Sequence, residues 1–254
     1  MRILLTNDDG INARGLAVLE EIARTLSDDI WVVAPAEEQS GAGHSLTITR
    51  PLRLRRLGER RFCVTGTPTD SVMMALAKVM GDTPPDLILS GVNRGANLAE
   101  DVTYSGTVSA AMEGALAGVR SIALSQVHAA EAPGDDVPFA AARAWGERVL
   151  RPLIGLPLAP RTLINVNFPA RAADQVRGVR VVAQGFRDYG RLRIVSNRDP
   201  RGYEYHWFGL GPTIETPAHA TDLEAVQDGY VAVTPLQLDL THRESLAPIA
   251  RLFD

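Results

Sequence analysis

Two adjacent carboxylates follow the first hydrophobic segment of the chain. The run Arg2-Ile3-Leu4-Leu5 is typical of a buried strand in a parallel sheet, and Thr6-Asn7-Asp8-Asp9-Gly10 follows it at once. Ligands of open α/β sheets bind beyond the carboxyl ends of the strands, so Asp8 and Asp9 stand where chemistry is expected. Paired carboxylates repel each other unless a cation lies beside them, and their hard oxygen atoms favour Mg²⁺ or Mn²⁺. The alternative is that one Asp only caps the next helix.

More polar side chains follow the next two predicted strands. The second strand, residues 30–34, leads into a loop that contains Ser40, and the third, residues 86–90, leads into a glycine-punctuated loop that contains Asn93 and Asn97. Because the carboxyl ends of parallel strands meet at one edge of a sheet, we expect these side chains to lie beside the paired carboxylates. A hydroxyl and an amide oxygen would complete an oxygen-ligand shell for a hard divalent cation.

A helix start close to this edge offers groups that bind anions. Ser105-Gly106-Thr107 precedes a helix of small residues predicted over 108–117, and a helix N-terminus favours phosphate. An ordinary N-cap is the alternative interpretation of Ser105. His44 is the histidine nearest this edge and could contact substrate or assist proton transfer, although a surface-loop role explains it equally well. A cation site beside an anion cradle is typical of phosphoryl-group chemistry.

The order of the predicted elements indicates how these residues are positioned. Apolar residues recur at helical spacing over 13–26, between two buried strands, and this β-α-β opening implies a right-handed crossover and a parallel sheet. Alternation over 46–49 and 52–55, with a turn at Gly58 before Cys63, predicts a hairpin appended to the sheet. Later helices are predicted from Thr67, over 108–117, over 138–153 and from Thr221, and later strands over 121–125, 162–168, 179–182 and 230–234, the last ending before Pro235. The predicted fold class is therefore α/β, a Rossmann-like and mostly parallel sheet with helices on both faces.

Residues 184–217 differ in character from the rest of the chain and predict an extended β-hairpin arm. They combine a high density of aromatic side chains with arginines and acids, and Asp199-Pro200-Arg201-Gly202 has the composition of a turn. The aromatic residues are Phe186, Tyr189, Tyr203, Tyr205, Trp207 and Phe208. Aromatic and arginine enrichment is typical of interfaces, so we expect an arm used for self-association. The alternative is a hairpin folded back over its own sheet, shielding the active edge.

Composition narrows the class of protein. A chain of 254 residues with 45% hydrophobic and 22% charged residues is sufficient for one α/β domain, which we expect to span residues 1–254. The formal net charge of −4 argues against a dedicated binder of nucleic acid or of anionic membranes. Cys63 is the only cysteine, which excludes an internal disulfide and is consistent with a reducing cytoplasm. The first strand begins without a signal peptide, and no apolar run is long enough to span a bilayer, so we expect a cytoplasmic protein.

Five polar, glycine-containing blocks stand at the predicted strand ends and helix starts. They are Thr6-Asn7-Asp8-Asp9-Gly10, Gln39-Ser40-Gly41, Gly66-Thr67-Pro68-Thr69-Asp70, Ser90-Gly91-Val92-Asn93-Arg94-Gly95-Ala96-Asn97, and Tyr104-Ser105-Gly106-Thr107 continuing to Glu113-Gly114. Together they resemble the SurE family of stationary-phase survival proteins. The resemblance continues through Gly229-Tyr230, Thr234-Pro235-Leu236 and Asp239-Leu240-Thr241, and is absent from 127–158.

The resemblance implies a nucleotidase that removes phosphate from nucleoside 5′- and 3′-monophosphates with one Mg²⁺ or Mn²⁺ per subunit. Some members also trim short polyphosphate, and SurE-like proteins are dimers or tetramers with exchanged C-terminal elements. The family's metal ligands correspond to Asp8, Asp9, Ser40 and Asn93. Its phosphate contacts correspond to Asn97, Ser105, Gly106 and Thr107. We therefore expect catalysis to depend on Asp8, Asp9, Asn97 and Ser105, with a water that the cation activates as the attacking group and Asp9 as proton acceptor.

The chain departs from the family pattern at two places. Ala99-Glu100 stands where Gly-Asp is common, and Glu37-Glu38 precede Gln39 where a basic residue is common. Loop shape and substrate preference are the properties that these departures affect.

Two other classes of protein share some of these features. A phospho-acceptor signalling module also places paired acids after strand one, but it needs an Asp after strand three and a later lysine, whereas this chain has Ser90 and Asn93 there and no lysine after Lys78. A non-catalytic nucleotide-binding or metal-binding subunit is the second alternative. The intact set Asp8, Asp9 and Asn93 argues against it, and a metal-dependent phosphatase assay separates the two.

Overall fold

The computed structural model describes residues 1–128, 139–187, 192–210 and 220–253. Pro138, where one predicted helix begins, lies outside the described residues, as do Tyr189 and residues 211–217 of the predicted arm. The strands within the described ranges are β1 (Arg2–Thr6), β2 (Asp29–Pro35), β3 (Leu54–Arg56), β4 (Arg61–Val64), β5 (Leu87–Arg94), β6 (Arg120–Gln126), β7 (Thr162–Phe168), β8 (Val179–Val181), β9 (Leu192–Arg198), β10 (Glu204–Leu210) and β11 (Val231–Gln237).

The α-helices of the described ranges are α1 (Arg14–Arg24), α2 (Pro68–Met74), α3 (Gly106–Leu116), α4 (Ala140–Ile154), α5 (Asp222–Gln227) and α6 (Arg243–Ala250). A π-helical turn, Ala75–Val79, extends α2, and short 3₁₀ turns span Ala99–Thr103 and Ala173–Gln175. Among these helices, none combines the length and the apolar character needed to cross a membrane.

A mostly parallel sheet confirms the predicted α/β class. Its strand order is β3-β4-β2-β1-β5-β6-β7-β11-β8, and the pairs from β4 through β7 are all parallel. After β1 the chain builds one side of the sheet through β2 and β4, and it then returns to build the other side from β5. The boundary between β1 and β5 is therefore the topological switch point, where ligands of open α/β sheets bind.

Helices cover both faces of this sheet because the central strands are apolar on both faces. On one face Ile3 and Leu5 pack in a core with Leu19 of α1 and Val149 of α4. On the other, Leu4 packs in a core that includes side chains of α2 and α3. Strands that are buried on both faces read as continuous apolar runs, which is why β1, β2, β5, β6 and β7 were predictable from sequence.

The third predicted strand is longer than the sequence suggested. β5 continues to Arg94, so Asn93 lies in a strand rather than in a loop. The pairing of β5 with β6 is irregular between Ser90 and Asn93 and then resumes, with Asn93 opposite Ser125. Glycine at residue 91 hid this continuation, because glycine usually ends a strand pattern.

Two other boundaries differ from prediction. Residues 46–49 alternate in sequence but form no strand, and Thr47 N–H instead donates to Asp70 Oδ1 at 3.0 Å. β11 runs through Pro235 to Gln237. β8 pairs with β11 only as far as Val233, so a residue without an N–H is tolerated there. Helix α6 was not predicted, and none of its residues is buried.

The start of α2 holds the end of the loop that carries Ser40. Thr67 Oγ1 accepts a hydrogen bond from Asp70 N–H at 3.1 Å, and Asp70 Oδ2 accepts from Thr67 N–H at 2.8 Å, which is a capping box. Thr67 Oγ1 also donates to Ser45 O at 2.8 Å, while Asp70 binds Thr47 N–H. Burial raises the pKa of Asp70, but these hydrogen bonds outweigh it and hold the pKa below its ordinary 3.8. A loop of the predicted site is thus tied to a helix cap.

The substitution Asp70→Asn should lower the free energy of unfolding by about 1–3 kcal/mol at pH 7, because only one of the two side-chain atoms of an amide can accept, so it cannot bind both the Thr47 and the Thr67 N–H. A carboxyl with a depressed pKa stabilises the fold above pH 3.8 and loses that contribution as the pH falls through its folded pKa. The difference between variant and wild type in urea unfolding should therefore shrink below about pH 4. Asp82→Asn, at an exposed residue, is the matched control. A difference that does not vary with pH would contradict the role of the Asp70 charge.

Candidate active site

The carboxylate of Asp8 is buried against the first turn of α3. Asp8 is 4% exposed, and Thr107 Oγ1 donates to its Oδ1 at 2.5 Å. A Cβ at Gly106 would lie 2.8 Å from Asp8 Cβ, so only glycine permits this approach. Burial raises the pKa of Asp8 to about 7, the bond from Thr107 opposes that shift, and the charge of Asp9 adds to it. An ionised Asp8 therefore requires additional positive charge nearby.

Asp9 and Asn93 meet at the junction between β1 and β5. Asp9 Oδ2 accepts from the backbone N–H of Arg94 at 3.2 Å. Asn93 Nδ2 donates to Gly95 O at 3.1 Å, which leaves the amide oxygen of Asn93 as its free acceptor among the described residues. The predicted neighbourhood of these two residues is present because β1 and β5 are paired directly.

The loop that follows β2 brings Ser40 beside the end of β1. Gln39 N–H donates to Asp8 O at 2.8 Å, which fixes the preceding turn of the loop. Ser40 Oγ donates to Glu38 Oε1 at 2.8 Å, and a hydroxyl that donates keeps its lone pairs for another partner. Farther along, Gly43 N–H donates to Tyr104 O at 3.0 Å, so the loop also contacts the segment that enters α3.

Ser105 is the N-cap of α3. Its Oγ accepts from Val108 N–H at 3.1 Å, so the ordinary capping interaction is present. Capping does not exclude a second role, because Ser105 is 6% exposed and the helix start that it caps contacts Asp8. His44 contacts the same helix, because its Nε2 is 3.1 Å from Oε2 of Glu113 in α3.

Asn97 is held at the carboxyl ends of β6 and β7. It is 6% exposed, and its Nδ2 donates to Ser125 Oγ at 2.7 Å. Its backbone is bound by two further side chains, Asn165 and Asn167. Among the described residues, neither Oδ1 nor the second N–H of Asn97 has a partner.

A cleft opens on the outer side of the paired carboxylates. Its volume is about 670 Å³, which is within the range of small-molecule sites. Asp9, Arg14, Glu38 and Arg94 supply charged groups to its wall. The structure thus places two arginines beside the site residues that were predicted from the sequence.

The donor set suits a hard divalent cation. Within the described residues, no group of three His, Cys, Asp or Glu side chains is arranged to hold a metal ion. The anionic charge of the predicted cation site would therefore come from Asp8 and Asp9, and neutral oxygen atoms such as those of Ser40 and Asn93 would supply the remainder. Two carboxylates with hydroxyl and amide oxygens are ligands that Mg²⁺ and Mn²⁺ accept and that softer metals disfavour.

The sequence reading missed residues that support the loop after Asn97. Asp222 is fully buried, and its carboxylate accepts from Ala99 N–H at 2.9 Å and from Gly185 N–H at 2.8 Å. Burial raises the pKa of this carboxyl. The one signal of such support in the sequence was the presence of polar amide residues inside the apolar strand that ends at Phe168, because buried amides need hydrogen-bond partners.

Ala99 explains one departure from the family pattern. Its φ is +52°, in the left-handed region that glycine adopts without strain. The bonds that Ala99 N–H and Ala99 O make, to Asp222 and to Gln184 Nε2 at 2.9 Å, hold this conformation. A glycine in related chains would adopt the same turn at lower cost.

Comparisons with known proteins agree over the whole chain. Residues 3–191 match the family described as Survival protein SurE. Proteins named 5′-nucleotidase SurE from Rhizorhabdus wittichii and Erythrobacter litoralis are 68% and 64% identical over 253 and 254 residues, and each comparison covers 100% of both chains. A crystal structure of the SurE protein from Aquifex aeolicus superposes with a TM-score of 0.86 at 37% identity, with 100% of both chains covered. The chain belongs to the SurE family.

Proposed function

We propose that the protein is a metal-dependent phosphomonoesterase that hydrolyses nucleoside 5′-monophosphates to nucleoside and phosphate. The observation that carries this proposal is the contact between the buried carboxylate of Asp8 and the first turn of α3. A helix N-terminus attracts phosphate, whereas a carboxylate repels it, so the two groups serve one substrate only when a cation lies with them. The name 5′-nucleotidase carried by the full-length relatives supports this substrate class.

The cation would be held by the oxygen atoms of Asp8, Asp9, Ser40 and Asn93, one ion per subunit. When bound, Mg²⁺ or Mn²⁺ offsets charge on the phosphoryl oxygens and lowers the pKa of water. Asp8 is already fixed by Thr107, and Asn93 by its bond to Gly95 O, so both present their oxygens without rearrangement.

The phosphoryl group would bind at the start of α3. The first turn of α3 begins with Ser105, Gly106 and Thr107, and its N–H groups and dipole favour the anion. Asn97 contributes the side-chain N–H that is not bound to another side chain. Asp9 borders the 670 Å³ cleft and is the carboxylate that can accept a proton from the attacking water. We place the nucleoside in that cleft, and His44, which contacts Glu113 of α3, is the histidine that we propose as a further substrate contact.

Nucleoside 3′-monophosphates and short polyphosphate are further substrates that we propose for the same site. Both present a terminal phosphate, which is the group that the start of α3 would bind. Their turnover relative to 5′-monophosphates measures how strongly the nucleoside is recognised.

Activity should require a divalent cation and Asp8. Phosphate release from a panel of nucleoside 5′- and 3′-monophosphates and polyphosphate should occur with Mg²⁺ or Mn²⁺ and stop in excess chelator. Asp8→Asn should lower kcat/KM by about 100-fold or more at saturating metal, because the amide removes one of two anionic ligands. Asp28→Asn, just before the amino end of β2 and so at the opposite edge of the sheet from the predicted site, is the control. Undiminished phosphate release in excess chelator would rule out the proposed mechanism.

Substitution of Ser105 separates phosphate binding from helix capping. Ser105→Ala should lower kcat/KM by about tenfold or more. Loss of a cap alone costs about 1 kcal/mol of unfolding free energy and leaves kinetics intact. Ser121→Ala, at a buried serine whose Oγ donates to Val119 O and not to Ser105, should leave kcat/KM close to wild type. A change in melting temperature with unaltered kinetics would show that Ser105 acts only as a helix cap.

The hairpin β9–β10 supports the proposal of a self-associating arm, and we propose a homodimer or homotetramer that exchanges it. Within the part of the chain that the structure describes, its two strands pair only with each other, and a two-stranded ribbon by itself is marginally stable. Trp207 and Phe208 are 67% and 78% exposed. The base of the arm is anchored at the site, because Gln184 binds Ala99 O and Arg187 Nη1 lies 2.7 Å from Asp101 Oδ1.

Deletion of residues 191–207 should yield a monomer with much reduced activity, because the arm would border the partner's site. Wild type should sediment as a dimer or tetramer at micromolar concentration. Trp207→Ser should weaken association, while Leu240→Ser, at an even more exposed apolar residue outside the arm, should not. A native protein that sediments as a monomer would contradict the proposal.

A further inference from the structure

Four hydrogen bonds from buried side chains converge on Asn97. Asn97 N–H donates to Asn167 Oδ1 at 2.9 Å, and Asn97 O accepts from Asn165 Nδ2 at 2.8 Å and from Asn167 Nδ2 at 3.1 Å. The fourth bond runs from Asn97 Nδ2 to Ser125 Oγ at 2.7 Å. Backbone and side chain of one residue are thus fixed together. We call Ser125, Asn165 and Asn167 the Asn97 clamp.

The clamp residues lie inside the sheet, where polar groups are costly. Asn165 and Ser125 are fully buried and Asn167 is 1% exposed. They project from adjacent strands, since Ser125 of β6 pairs with Asn167 of β7. Asn165 Oδ1 is buried without a partner in the described part of the chain. Apolar residues at these positions would cost less folding free energy. The presence of the amides is therefore better explained by their hydrogen bonds to Asn97 than by a contribution to stability.

The geometry also determines which groups of Asn97 remain available. Ser125 takes one of the two N–H groups of Nδ2, and the rotamer that makes this bond leaves the second N–H and Oδ1 for a ligand. Asn167 binds both the N–H and the carbonyl of Asn97, so the backbone cannot rotate without breaking two bonds. A donor fixed in this way is preorganised for a charged group.

We propose that Ser125, Asn165 and Asn167 are positioning residues that fix the Asn97 amide toward the phosphoryl group. The inference rests on the proposed function, because it takes Asn97 as a phosphate contact. The clamp acts through Asn97, because all three of its side chains hydrogen-bond Asn97 and none hydrogen-bonds Asp8 or Asp9. Ser125 also lies opposite Asn93 in the sheet, but that pairing is made by the backbone, which Ser125→Ala leaves in place. Misplacing a substrate-orienting group by about 1 Å costs up to about 100-fold in rate.

Ser125→Ala tests the side-chain part of the clamp. It should lower kcat for a nucleoside 5′-monophosphate by about tenfold. In the Asn97→Ala background the same substitution should have no further effect, because its only route to the substrate has been removed. Ser121→Ala is the matched control, since Ser121 lies on the same strand and face, is equally buried, and bonds Val119 O instead. It should leave kcat unchanged in both backgrounds.

Asn167→Ala tests the backbone part by a measurement that needs no activity. The backbone N–H of Asn97 should exchange with solvent faster than in wild type, while that of Ile164 on β7 should not. If this variant does not fold, Asn167→Asp, which keeps the Oδ1 acceptor, replaces it and should lower kcat by about tenfold. Metal-induced shifts in melting temperature should persist in Ser125→Ala.

Wild-type kcat in Ser125→Ala, or a loss that multiplies in the Asn97→Ala background, would overturn the positioning role. Wild-type protein that releases no phosphate from nucleotides would instead contradict the proposed function. In that case the exchange rate of Asn97 N–H in Asn167→Ala still decides whether the clamp holds the loop.

Discussion

The organising constraint of this protein is the contact between a buried carboxylate and the start of a helix. Asp8 emerges from the central strand at the switch point of the sheet, and Gly106 and Thr107 bring α3 against it. The contact stabilises the carboxylate through a hydrogen bond and the helix dipole, yet burial still raises the pKa of Asp8 to about 7. The helix dipole alone is therefore insufficient to keep this carboxylate ionised, and the divalent cation that we propose would supply the missing positive charge.

The surrounding structure fixes neutral oxygen and nitrogen donors around that centre. The loop with Ser40 is bound to Asp8 by Gln39 and to α2 by Thr67, while the Asn97 loop is bound by buried residues of β6 and β7. Farther out, Asp222 of α5 connects this second loop to the base of the hairpin arm. Rigid elements thus position groups that themselves lie on loops, which is how α/β enzymes combine precision with access.

Much of this arrangement was predictable, because the spacing of apolar residues along the sequence indicates where helices and buried strands lie. Apolar runs such as Ile3-Leu4-Leu5 are typical of strands buried on both faces, and the parallel order then brings Asp8, Ser40 and Asn93 to one edge. The helix at Thr67 was visible because its cap is local. The family resemblance supplied what spacing alone could not, namely the nucleotide substrate and the roles of individual residues.

The parts that were missed depend on partners far away in sequence. Asn97 and Asn167 are 70 residues apart, and Ala99 and Asp222 are 123 residues apart, so no local pattern indicates their bonds. The extension of β5 to Arg94 depends on β6 alongside it, and the tolerance of Pro235 depends on where β8 stops pairing. In each case tertiary pairing overrode a local signal that glycine, proline or alternation had given.

Calorimetric titration with Mn²⁺ measures the proposed cation site without relying on turnover. We expect one Mn²⁺ bound per chain in the wild-type protein and loss of that binding in Asp8→Asn, with the fold of the variant intact by circular dichroism. Equal binding of Mn²⁺ by the wild type and the folded variant would contradict it.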